Sequence, residues 1–208
     1  MLGSATARGC FPRSDAISSI ADATRRTFLP ILVLPLLFTP SASPRGDAPA
    51  ALEYEVKAAF LYHFAQFTDW PEAAFGETAS TLVIGVLGDD PFGEALDLAV
   101  RGKTVQGRVL AIQRFAEAED VGPCQILFVS SPGTRHLRPV LDALRGRQVL
   151  TVGETEHFLS DGGMVRFFEE DQRVRFEVNL DAAERSGLKI SAKLLKVARV
   201  VRETGGKG

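Results

Sequence analysis

Two alternating runs near the C-terminus carry the clearest pattern of hydrophobic and polar positions. Met164–Glu169 (MVRFFE) leads into the polar turn Glu170–Asp171–Gln172, and Arg173–Leu180 (RVRFEVNL) returns. In the returning run Val174, Phe176, Val178 and Leu180 share one face, while Arg173, Arg175, Glu177 and Asn179 share the other, because successive strand side chains alternate. The pattern predicts an antiparallel hairpin with one apolar and one charged face, opened by the Gly162–Gly163 break. Asp181 and Ser186–Gly187 punctuate a short helical turn. Beyond it Ile190, Leu194, Val197 and Val201 recur at helical spacing, widened by Leu195 and Ala198, which predicts a terminal amphipathic helix closing over the hairpin.

The rest of the chain alternates strands with short helices. Leu52 to Phe67 reads as the first helix, with Val56, Phe60, Phe64 and Phe67 as its stripe, ended by Asp69–Trp70–Pro71. Thr81 to Gly88 and Gln125 to Ser131 are continuous apolar runs, as expected for strands covered on both faces. Asp89–Asp90–Pro91 starts a helix over Phe92, Leu96 and Ala99. Arg108 to Arg114 alternates as a strand, and Leu137, Val140, Leu141 and Leu144 mark another helix. Gln148 to Gly153 is a further strand, followed by a short helix from Glu154 to Leu159. The expected fold is therefore α/β: a three-layer α/β/α single domain over residues 51–203, with a mixed sheet closed by the C-terminal hairpin and helix.

Composition narrows the function classes. Without the first 50 residues the chain keeps 19 basic and 23 acidic residues, a net charge of −4, which argues against a nucleic-acid partner. Residues 1–50 read as a cleavable export signal and leader. Arg25–Arg26 precede the apolar core Phe28–Phe38, and small-residue cleavage sites follow at Ser41–Ala42–Ser43 and Ala48–Pro49–Ala50. Thr24–Leu29 also resembles a twin-arginine signal, so the export route stays open between that and general secretion. No later segment is apolar for 18 residues, and residues 204–208 read as a disordered tail. Export is the expectation.

Catalytic chemistry finds little support. His63, His136 and His157 are far apart with no metal-ligand spacing, so neither metal nor cofactor is expected. The glycines Gly85-x-x-Gly88 match neither a dinucleotide fingerprint nor a P-loop, and two aspartates follow where a phosphate would need donors. No nucleophile elbow is present. Cys124, the one cysteine outside the leader, reads as a small core residue. Arginines and a carboxylate on a rigid strand can orient a small anionic or zwitterionic ligand, or pair with a partner's charges. Arg173, Arg175, Glu177 and Asn179, with Arg185 and Lys189 flanking Ser186–Gly187, are therefore the candidate partner- or ligand-binding residues. A solvated face or structural ion-pair ladder is the competing reading. Lys189, Lys193, Lys196, Arg199 and Arg202 would form a basic stripe on the terminal helix.

These segments also carry a family resemblance. GGM–V–F, RVRFEVN and AAERSGL–I–LL, together with VKAAFLYHFAQFTDWP (56–71), IGVLGDDPFG (84–93) and CQILFVS (124–130), resemble the YfiR-like family of periplasmic proteins. The resemblance spans roughly Glu53 to Val201. It implies a non-enzymatic periplasmic regulator that binds the periplasmic domain of an inner-membrane diguanylate cyclase, lowering cyclic-di-GMP and biofilm formation. The alternative is a periplasmic small-molecule sensor serving a histidine kinase or other membrane receptor. Some members carry extra cysteines that can pair; this chain lacks them, which puts redox control by an internal bridge in doubt. Homodimerisation through a sheet edge or the first helix stays open.

Overall fold

The computed structural model describes residues 48–76, 80–130 and 137–202. Residues 1–47 of the expected leader, Cys10, His136 and residues 203–208 lie outside them, whereas the expected cleavage site Ala48–Pro49–Ala50 forms the start of the first helix. In chain order the elements are α1 (Ala48–Phe67), β1 (Thr68–Asp69), β2 (Thr81–Leu87), α2 (Glu94–Val100), β3 (Thr104–Val105), β4 (Arg108–Phe115), β5 (Ile126–Val129), α3 (Leu137–Ala143) and β6 (Leu150–Gly153). β7 (Val165–Glu170), β8 (Arg173–Asn179), α4 (Leu180–Arg185), β9 (Lys189–Ile190), α5 (Ala192–Leu195) and β10 (Arg199–Val201) complete them.

Eight strands form one mixed sheet in the order β10-β8-β7-β6-β5-β2-β4-β3. β4, β2, β5, β6 and β7 run parallel; β8 returns antiparallel to β7, and β10 lies parallel to β8. Both faces are covered at the centre of the sheet. Ile84, Phe128, Phe167 and Phe176 join Leu61 and Phe64 of α1 and Leu96 of α2 in one core. Leu127 and Val129 point the other way, packing with Leu141 of α3, Leu144 and Phe158 in a second core. This is the expected three-layer α/β/α arrangement. It explains why β2 and β5 are unbroken apolar runs: each residue, whichever way it points, meets a covering layer.

Three elements depart from expectation. The terminal helix is a single turn, α5, capped by the Ser191 side chain on the Lys193 amide. Residues 199–201 then extend as β10, because β8 offers a free row of backbone hydrogen-bonding groups and the β-branched Val200 and Val201 suit a strand. The basic stripe expected on that helix is thereby dispersed. Residues 154–159 form successive tight turns instead of a helix, with the Phe158 amide on Thr155 O, the Gly162 amide on Leu159 O and the Gly163 amide on Phe158 O. On α1 the buried stripe runs through Lys57, Ala58, Leu61, Phe64 and Ala65, whereas Val56 is exposed. Phe60 and Phe64 pack on Phe176 with ring centroids 5.2 and 5.0 Å away, tying α1 to the hairpin.

Trp70 is core, and its indole N–H donates to Gln125 O at 3.2 Å. Gln125 stitches this corner together: its side-chain amide donates to Ala74 O and its Oε1 accepts from the Val83 amide. Cys124 is 3% exposed, and burial pushes its thiol up to about 11, with Arg147 opposing weakly. The native Cys124 is therefore expected to resist iodoacetamide at pH 8 and to react fully once unfolded in urea. Peptide-level mass spectrometry reads this directly; equal labelling in both states would overturn the buried-thiol assignment.

Among the described residues no helix is long and apolar enough to cross a membrane, and no three His, Cys, Asp or Glu side chains could hold a metal ion.

Candidate functional site

The β7–β8 hairpin turns at Asp171–Gln172, both with positive φ, as a two-residue hairpin turn requires. That turn sets the register. Phe168 faces Arg175, Arg166 faces Glu177 and Glu170 faces Arg173, while Arg199 of β10 lies beside Glu177. Directly opposed residues project from the same face, so Arg166, Phe168, Glu170, Arg173, Arg175, Glu177 and Arg199 share the face turned away from α1. Their alternates Val165, Phe167, Phe176 and Val178 are buried in the α1 core.

This face is ordered by charge. Arg166 Nε donates to Glu177 Oε1 at 2.6 Å, and Arg199 donates to Glu170 Oε1 at 2.7 Å. The Phe168 ring has the Arg199 and Arg166 guanidinium carbons 4.6 and 5.4 Å from its centroid, a cation–π arrangement that holds both side chains upright. Arg173 and Arg175 are exposed and make no ion pair among the described residues. The result is a half-buried aromatic ring amid guanidinium groups, two of them still able to take a carboxylate.

The six sequence-selected residues do not converge on one spot. Arg173 and Arg175 sit on this face near the turn. Glu177 is only 9% exposed and engaged with Arg166. Asn179 is 2% exposed and caps α4, its Oδ1 accepting from the Ala182 amide at 3.0 Å, so its observed role is structural. Six residues of strand, about 20 Å, separate Arg173 from Asn179. Arg185 lines a different cleft with Leu141, Gly146 and Met164. Lys189 lies in the small β1–β9 sheet, opposite Asp69. Phe168, Arg166 and Arg199 were missed. Counting outward from the turn would have paired Phe168 with Arg175, but Arg199 was hidden by the helical reading of the last segment.

A second charged cluster lies where α1 meets the loop after β6. Lys57, 4% exposed, bridges Glu53 at 2.6 Å and Glu154 at 3.0 Å, and sits 4.4 Å from the Tyr54 ring centroid. Burial works against the Lys57 charge, but hydrogen bonds to Glu53 and Glu154 outweigh it, leaving its pKa raised. Burial and the neighbouring Glu154 raise that of Tyr54. This cluster braces α1 against the sheet.

Gly85 of β2 has a packing role. A Cβ on Gly85 would stand 2.9 Å from both Leu127 and Phe115, so this position admits close side-chain packing and makes no phosphate loop. A family model described as YfiR/HmsC-like matches residues 54–199, more than half of the chain.

Proposed function

Because this chain belongs to the YfiR/HmsC-like family, we propose that it is a periplasmic negative regulator of cyclic-di-GMP signalling, binding the periplasmic domain of an inner-membrane diguanylate cyclase and holding it inactive. The family is a regulatory one, in keeping with a role that needs no catalysis. The observation that carries a binding role is the outer face of the hairpin, where Arg173 and Arg175 stand exposed beside Phe168. An acidic segment of the partner would supply the carboxylates, with the ring as the apolar contact at the centre. Repression is then a population shift: the regulator binds the inactive cyclase better than the active one. A tenfold effect needs about 1.4 kcal/mol of differential affinity.

Intracellular cyclic-di-GMP tests this reading. Deleting the gene is expected to raise it, and an exported copy, but not a leaderless one, to restore it. An exported Arg173→Glu/Arg175→Glu variant is expected to fold with an unchanged Tm, since both positions are exposed, and to fail to restore repression. Full repression by that variant would remove the hairpin face from the interface. An unchanged level on deletion would sink the cyclase reading. It would favour instead a periplasmic ligand sensor serving a histidine kinase or another membrane receptor, a reading supported by the crevice described next.

A further inference from the structure

The strand order reverses beside β2. From β2 the chain moves to β4 on one side, and then β5, β6 and β7 build outward on the other. In doubly wound sheets a crevice opens at such a switch point, outside the carboxyl ends of the strands. Here a crevice of about 860 Å³ lies there, bounded by the ends of β2 and β5, by α3 and by the loop after β4. That volume is in the range of small-molecule sites.

Its lining has two parts. Val129, Leu137, Val140 and Leu144 make an apolar floor continuous with the second core. The polar wall carries, among the described residues, Asp89, Glu117 and Glu119 against one cation, Arg147. Among the described residues none of these three acids is ion-paired. The neighbouring Asp90 shows the contrast, since its carboxylate is used within the fold, accepting from the Phe92 amide and pairing with Arg114. Ser130, 4% exposed, adds a hydroxyl at the base.

We propose that this crevice is a binding site for a small amphipathic organic cation, a protonated amine carried on an apolar or aromatic body. The body would lie on the Val129–Leu144 floor and the ammonium against Glu117 and Glu119, with the Ser130 hydroxyl as a further acceptor. Three carboxylates facing one guanidinium disfavour an anion, and the apolar floor disfavours a fully hydrated ion. The inference stands whichever membrane partner the protein serves, so its failure leaves the cyclic-di-GMP experiment untouched.

Phenethylamine is the probe, and 3-phenylpropionate its counterpart with the same body and opposite charge. By isothermal titration calorimetry on the purified protein, phenethylamine is expected to bind saturably at one site, about tenfold or more tighter than 3-phenylpropionate. Glu117→Gln/Glu119→Gln is expected to weaken the amine about tenfold, a loss of charge-assisted hydrogen bonds, without moving Tm. Ala143→Trp, placed at an exposed lining position, is expected to block binding by filling the crevice. Equal affinity for the two probes, no binding of the amine, or amine binding that survives both variants would overturn the proposal.

Discussion

Replacing Gly163 by alanine is expected to cost the fold about 3 kcal/mol, the upper part of the usual range for overpacking a core. The Phe158 ring, almost fully buried, lies between two glycines. A Cβ on Gly163 would stand 2.2 Å from the ring and 2.7 Å from the Phe158 carbonyl oxygen, and one on Gly153 would stand 2.3 Å from the ring. The carbonyl is the decisive contact, because it already accepts the Gly163 amide at 2.8 Å and cannot swing aside without breaking that turn. Gly162 is glycine for a different reason, its φ of +104°. Urea unfolding measures the loss. Pairing Gly163→Ala with Phe158→Ala is expected to cost less than the sum of the two singles, since the ring part of the clash goes with the ring while the carbonyl contact remains. A Gly163→Ala protein within about 0.5 kcal/mol of the parent would refute the close-packing account.

Lys57 carries the second large effect. Lys57→Met keeps the stem's bulk but leaves Glu154 at a mostly buried site without its cation, and breaking such a pair from one side costs about 3–5 kcal/mol. Removing both charges, with Lys57→Met and Glu154→Met together, is expected to recover much of that loss, because no uncompensated charge remains. The alkaline limb gives an independent reading. The Lys57 pKa is raised above its ordinary value of 10.5, so its folded-state stabilisation is fully present below about that pH and declines as pH climbs through the folded value. The stability gap between parent and Lys57→Met should therefore hold steady from neutral to mildly alkaline pH and narrow above it. A gap that is small at neutral pH would show that the bridge is incidental.

Much of the architecture was legible in the chain. The alternation of 164–180 located the hairpin, and the unbroken runs around Ile84 and Phe128 announced strands covered on both faces. The family resemblance rested on the same segments. The candidate site was legible only in part. Arg173 and Arg175 are exposed as the alternation implied. Glu177 and Asn179, on the same face of the same strand, are drawn inside by Arg166 and by the N-terminus of α4.

Sequence periodicity alone determined which residues share a side of each element, because the repeats of strand and helix are properties of the local backbone. It could not determine which side another layer would cover. That is why Val56, read as part of the α1 stripe, is exposed while Lys57 is buried, and why the double glycine read only as a break. The last segment shows the same limit. Residues 196–201 carry a serviceable helical spacing, yet the tertiary structure draws 199–201 out beside β8, whose edge groups need partners that only a strand can supply. The crevice at the carboxyl ends of β2 and β5 was likewise decided by strand order, which brings Asp89, Glu117 and Ser130 together from separate stretches of the chain.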